Sequence, residues 1–290
     1  MASLELDPAR VALGARLFHD PRLSVDNSLA CAGCHDIAAG GDDGLQFSKG
    51  IDGKQGNINA PTVLNAALGF RQFWNGRSRT LEEQAAGPVE NPIEMGADWS
   101  VVTAKLADEG DYDDEFRRVF GDDAITRGRI TGAIADFERS LLTPAPFDRY
   151  LAGDANAISA DAAAGYARFK ALGCSACHQG MAIGGNLFQK FGALSVYYEP
   201  ASVADEGRHS VTSDAIDLAV FKVPSLRNVA RTAPYFHNGM APDLPTAIRV
   251  MGASQLGRDL GDDDVRLIEA FLHSLSGDVS LPSLQASTRD

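Results

Sequence analysis

The stretch "CAGCH", Cys31 to His35, returns as "CSACH", Cys174 to His178, and together the two hold all four cysteines of the chain. Two C-x-x-C pairs are compatible with a zinc site, with thioredoxin-like dithiols or with c-type haem attachment, and the residue after the second cysteine separates these chemistries. Both times it is histidine. In C-x-x-C-H the two thiols form thioethers with the haem vinyl groups and the adjacent histidine supplies a nitrogen to iron, so one turn of chain fixes both porphyrin and axial ligand. Zinc ribbons space their pairs by roughly 15 to 20 residues, whereas these pairs lie in opposite halves of the chain. The motifs therefore predict two covalently bound haem c groups, on Cys31, Cys34 and His35 and on Cys174, Cys177 and His178.

Working outward from the motifs, the halves repeat. "APTVLNAALGFRQFWNGR" from Ala60 aligns without a gap on "VPSLRNVARTAPYFHNGM" from Val223, setting Pro61 over Pro224, Asn65 over Asn228, Phe73 over Phe236 and Asn75-Gly76 over Asn238-Gly239. That is an internal duplication. Each half opens on an apolar run at helical spacing, Val11, Ala15 and Phe18 in the first and Tyr166, Phe169 and Leu172 in the second. Each closes on another, Ile130, Ile134, Phe137 and Leu141, then Val265, Ile268, Leu272 and Leu275 behind the helix-starting acids of "GDDD". Helix, haem motif, long loops and closing helix predict an all-α chain of two class I cytochrome c-like domains, residues 1–150 and 151–290, each with one covalent haem and packed with an interface between the haems. The Pro- and Gly-containing "LTPAPFDRYLAGDANAIS" reads as the linker.

Composition agrees and excludes alternatives. A chain of 290 residues with 44 % hydrophobic residues can bury two cores. A formal charge of −13 argues against a nucleic-acid partner, and no apolar run approaches the roughly 20 residues needed to cross a bilayer. "MASLELDPAR" lacks the features of a signal peptide, which leaves a cytosolic chain or one whose targeting segment has been removed.

Across nearly its whole length the sequence resembles the bacterial diheme cytochrome c peroxidases, a family related to the methylamine dehydrogenase maturation diheme enzymes. The matching segments are "FHDPRLS", "NAPTVLNA", "QFWNGR", "LEEQAAGP" followed by "EMG", and "TAPYFHNGM" leading to "VMGASQLG". The resemblance implies a peroxide-reducing haem in the N-terminal half, an electron-accepting haem in the C-terminal half and a calcium ion between them. It also implies a periplasmic location, since haem attachment is completed outside the bacterial cytoplasm. The implied partners are hydrogen peroxide and a small electron-donor protein, a cytochrome c or cupredoxin, and a homodimer is compatible with it.

Residue by residue, the resemblance makes Met251, fourteen positions after His237, the sixth ligand of the second haem iron, with Met240 its rival. It makes Glu94 of "NPIEMG" the acid-base carboxylate that moves a proton between the peroxide oxygens, with Gln84 beside it in the distal pocket. Trp74 falls at the position between the haems, suited to relaying electrons, and its duplicated counterpart is His237, read as a hydrogen-bonded junction residue. Calcium is implied at the side chain of Asn59 and the carbonyls of Thr232 and Pro234. "GGDDG" at Gly40 to Gly44 lacks the remaining spacing of an EF-hand.

One departure separates this chain from many members, which carry a removable histidine on the first haem sixteen residues after the haem-binding one. Here that position is Ile51, in a glycine-rich loop expected to be mobile, and no other histidine lies between His35 and His178. Isoleucine cannot ligate iron. The expectation is a peroxidase reducing hydrogen peroxide to water, with an N-terminal haem that is open even when fully oxidised and needs no reductive activation. A diheme enzyme that oxidises a residue of a partner protein is the alternative, against which Met251 argues because those enzymes carry tyrosine there. A non-catalytic diheme electron carrier is the third reading.

Overall fold

The structure, a computed structural model, describes residues 5–194 and 206–279. The architecture is mostly helical, as expected, with one small addition. A two-stranded antiparallel sheet pairs β1 (Phe188–Lys190) with β2 (Val220–Lys222), with Gln189 opposite Phe221.

The first hydrophobic core is built around α1 (Pro8–Phe18) and α5 (Arg127–Ser140). Asp7 caps α1 by accepting from the Ala9 N–H, and Thr126 caps α5. The helices cross at Gly14, where a Cβ would lie 1.9 Å from the Ala133 carbonyl oxygen, so only glycine allows the approach. Phe18 closes the crossing edge-on against Phe137. Alongside run α2 (Leu81–Glu90), α3 (Trp99–Asp108) and α4 (Asp113–Phe120).

The second core repeats this arrangement with α7 (Ala160–Leu172) and α10 (Asp262–His273). Gly165 takes the place of Gly14, its absent Cβ 1.8 Å from the Leu267 oxygen, and Phe169 packs on Phe271. The duplication is thus one of backbone geometry as well as of sequence. Asn65 and Asn228 are both left-handed, at φ 60° and 59°, as are Phe73 and Phe236.

The segment read as a linker is ordered. Its middle forms α6 (Pro146–Leu151), started by Pro146 and by an Asp148 carboxylate that accepts the Ala145 N–H. Phe147 is buried in the second core against Tyr166 and Phe271. Turn residues around a buried aromatic made a short helix rather than a tether. The remaining helices are α8 (His209–Thr212) and α9 (Leu244–Leu256). No helix among the described residues is long and apolar enough to cross a membrane.

Candidate functional site

Each cysteine motif folds as a single 3₁₀ turn, Cys31–Gly33 and Cys174–Ala176. In both, the histidine N–H donates to the carbonyl of the first cysteine, His35 at 3.1 Å and His178 at 3.0 Å. The backbone thereby turns both thiols and the imidazole to one side. That side is a mainly apolar cavity of about 700 Å³ running between the halves and lined by all six motif residues.

These residues fit haem c rather than zinc. Burial pushes the Cys31 thiol up to about 12 and Cys174 up to about 11, so both are neutral thiols, the form that adds to a haem vinyl group. Among the described residues no three His, Cys, Asp or Glu side chains cluster as a metal cage. His35 Nδ1 lies 3.0 Å from the Gly41 carbonyl, which fixes the proton there and leaves Nε2 as the free donor nitrogen. Burial lowers the His35 pKa and pushes His178 down to about 4, keeping both imidazoles in the neutral form that binds iron.

The cavity gathers the other sequence-predicted residues. Met251 faces it from α9 on the same stripe as Leu244, Ala247, Ile248 and Gln255. Met240, the rival ligand, is 56 % exposed and lines no part of it. Gln84 enters from α2 with Leu81, Ala85 and Pro88. Glu94 comes from the turn after α2; Asn91 Nδ2 donates to its Oε1 at 2.6 Å. Burial raises the Glu94 pKa, opposed by the nearby Arg77 guanidinium and by the Asn91 bond. Arg77 lies over the Phe73 ring, 3.3 Å from its centre, and also lines the cavity.

Trp74 and His237 meet at the junction of the halves. Their rings are 6.2 Å apart, edge to face. Trp74 Nε1 donates to the Asn59 carbonyl at 2.9 Å, and the Asn59 N–H donates to the His237 carbonyl at 2.7 Å. His237 is 1 % exposed and stacks on Phe221 at 4.0 Å, so it is a packed junction residue. Asn59, Thr232 and Pro234 line the same cavity. The Asn59 amide nitrogen donates to the Leu45 carbonyl at 2.9 Å, so its amide oxygen is not engaged in that bond; an amide oxygen is of the ligand type calcium accepts.

Ile51 is where expectation and structure part. Its loop is docked: Ile51 is 5 % exposed, its N–H donates to the Glu94 carbonyl at 2.9 Å, and its side chain packs on Gly96 rather than lining the cavity. One of the loop's glycines, Gly50, serves this close packing, while Gly53 adopts a left-handed φ of 69° with nothing near it. At Gly50 a Cβ would lie 2.0 Å from the Ile93 carbonyl oxygen.

Sequence reading missed several cavity residues. Phe221 and Lys222 arrive on β2, whose Lys222 N–H donates to the Trp74 carbonyl at 2.8 Å. Burial pushes Lys222 down to about 8. Neither residue carries a motif signal. Glu138 of α5 was also missed, although the duplication exposes it once the closing helices are aligned on Phe137 and Phe271.

Comparison with known proteins matches this geometry to a family. Residues 8–156 match the model of the di-haem cytochrome c peroxidases. The chain is 45 % identical to the cytochrome c551 peroxidase of Nitrosomonas europaea, over 96 % of this chain and 84 % of that one. It is 44 % identical to the cytochrome c551 peroxidase of Pseudomonas aeruginosa, over 95 % and 82 %. Among solved structures, a MauG-like protein associated with microbial copper homeostasis superposes with a TM-score of 0.86 at 27 % identity, covering 96 % of this chain and 92 % of the other. With the paired haem motifs facing one cavity and these relatives matching it nearly end to end, the chain belongs to the di-haem cytochrome c peroxidase family.

Proposed function

We propose that this chain is a periplasmic diheme peroxidase that reduces hydrogen peroxide to water with electrons from a small redox protein, a cytochrome c or cupredoxin. Two cytochrome c-like domains, 1–150 and 151–290, each hold one haem c, the first at Cys31, Cys34 and His35 and the second at Cys174, Cys177 and His178. Haem supplies iron that exchanges electrons and, where one axial face is open, binds peroxide.

The chain's own residues divide the work. Met251 would serve as the second haem's thioether ligand, and a thioether favours the reduced state, suiting that half to hold an electron. Beside the first, Glu94 takes a proton from the inner peroxide oxygen and returns it to the outer one as the O–O bond breaks. Gln84 orients the substrate, and the Arg77 charge favours the carboxylate form of Glu94, the form that can accept a proton. Trp74, hydrogen-bonded at the junction, lies on the path between the halves. Calcium held by Asn59, Thr232 and Pro234 would tie the same junction.

The observation that carries this reading is that Glu94 and His35 line one cavity from which Ile51 is turned away. The position that caps the iron in many relatives is thus packed into the 91–96 turn, so an iron held by His35 would be open without prior reduction. Met251 on the cavity face favours the peroxidase over the partner-modifying enzyme. The test is the spectrum of the fully oxidised protein: one high-spin and one low-spin haem are expected, with peroxide turnover starting without a lag. Two low-spin haems, and reaction only after reduction, would refute it.

A further inference from the structure

The closing helices of the two halves differ at one cavity position. With Gly14 over Gly165 and Phe137 over Phe271, the α5 residues Ile134, Glu138 and Leu141 fall on Ile268, Leu272 and Leu275 of α10. Ile134 and Ile268 line the cavity, and so do Glu138 and Leu272. The fold therefore accepts leucine at this position and uses it in the C-terminal half. In the N-terminal half it is a carboxylic acid, 3 % exposed, whose Oε2 has no hydrogen-bond partner among the described residues. An unpaired buried carboxyl costs stability, and leucine would be the stable choice. Packing does not account for glutamate here.

We infer that Glu138 is a proton-donating residue of the N-terminal half, a second carboxyl group on the cavity that Glu94 also lines, from which protons enter during peroxide reduction. This rests on the reading that the N-terminal half is where peroxide is reduced. The reaction breaks one O–O bond and consumes two electrons, from the reduced donor protein, and two protons, giving two waters. Glu138 gives up its proton and becomes a carboxylate, which a solvent proton neutralises again; the second proton follows by the same route.

Arg139, next on α5, pairs with Glu82 of α2 at 2.6 Å; both are partly exposed, and their charges act on Glu138, which puts a charged, solvent-accessible pair near it. The charged or titratable groups around it are Arg139 and Glu82, with Cys31 on the haem-motif turn. Glu94 acts on the same Cys31 thiol, and on the α1 side Arg10 is held by Asp136. No cation reaches the Glu138 carboxyl as a hydrogen-bonded partner among the described residues. Burial accordingly pushes its pKa up to about 8, so at neutral pH it carries the proton it is to donate.

The experiment compares Glu138→Gln, Glu138→Leu and Glu94→Gln as holoproteins with two haems, by turnover from about pH 6 to 9 and by infrared absorption of the carboxyl C=O. Expected for both Glu138 variants is full haem content and turnover lowered about tenfold or more. The decline of wild-type turnover above about pH 8 should vanish with them. A protonated-carboxyl band in the wild type should be missing from Glu138→Gln. Wild-type turnover and pH profile in both Glu138 variants, with Glu94→Gln impaired, would make Glu138 a spacer and leave the function standing. Unimpaired Glu94→Gln as well would remove the N-terminal peroxide site and this inference with it. Should Glu138→Leu not take up haem, Glu138→Gln and the band decide, and absence of the band overturns the assignment.

Discussion

Asp20 shows what a single residue of a family segment does. It is 7 % exposed, caps the turn Pro21–Leu23 and accepts from Arg22 Nη2 at 2.6 Å and from the Tyr112 hydroxyl at 2.7 Å. Burial alone would raise its pKa, but the bonds from Arg22 and Tyr112 outweigh it and hold the carboxyl below its ordinary value. A depressed carboxylate contributes stability that is present above its unfolded pKa of about 3.9 and is lost as pH falls through the lower folded value. Asp20→Asn should cost about 2–3 kcal/mol at neutral pH and flatten the loss below about pH 4, read by denaturant unfolding at a series of pH values. An equally steep acid limb in the variant would assign that limb to other carboxylates. In "FHDPRLS" the sequence displayed this cluster only in part, because Tyr112 arrives from 92 positions away.

At the scale of elements, the loop around Ile51 and the turn carrying Glu94 form one unit. Gly50 N–H donates to the Lys54 carbonyl and Gly56 N–H to Ser48, closing the loop on itself, while Lys54 Nζ reaches the Pro92 carbonyl at 3.0 Å. Expectation from the glycines was mobility; Gly50 instead serves a close backbone approach to Ile93. Ile51→His, which restores the ligand type of many relatives, should leave the oxidised spectrum with one high-spin haem, because position 51 points into the Gly96 packing and not at iron. Placing imidazole in that apolar contact should also lower stability by about 2 kcal/mol. Conversion to two low-spin haems would mean that the loop undocks readily.

Over the whole molecule, the halves are joined by the duplicated asparagines. Asn65 Nδ2 and Asn228 Nδ2 both donate to the hydroxyl of Thr143 at 2.8 Å, and that threonine is fully buried. The Thr143 N–H returns to Asn65 Oδ1, as the Gly277 N–H does to Asn228 Oδ1. Two copies of one local structure thus share a single hydroxyl. Thr143→Val keeps the shape and removes the acceptor of both amides, so unfolding should become easier by about 2–4 kcal/mol with haem content unchanged. A loss below about 0.5 kcal/mol, within the range of an ordinary surface change, would show that the junction rests on apolar contacts alone.

By itself the sequence determined what depends on neighbours along the chain. Haem attachment needs five consecutive residues, amphipathic helices need a period of 3.6, and a duplication is visible wherever two copies align. The positions of Glu94, Met251 and Trp74 within family segments were legible for the same reason. Tertiary structure decided what depends on which segments meet. It set Met251 rather than Met240 on the cavity, laid Phe221 under His237, turned Ile51 away from the first haem motif and left Glu138 unpaired where its twin position holds Leu272. Each of these is a long-range contact: local sequence fixes a side chain's direction on its own element, and only packing fixes what that element faces.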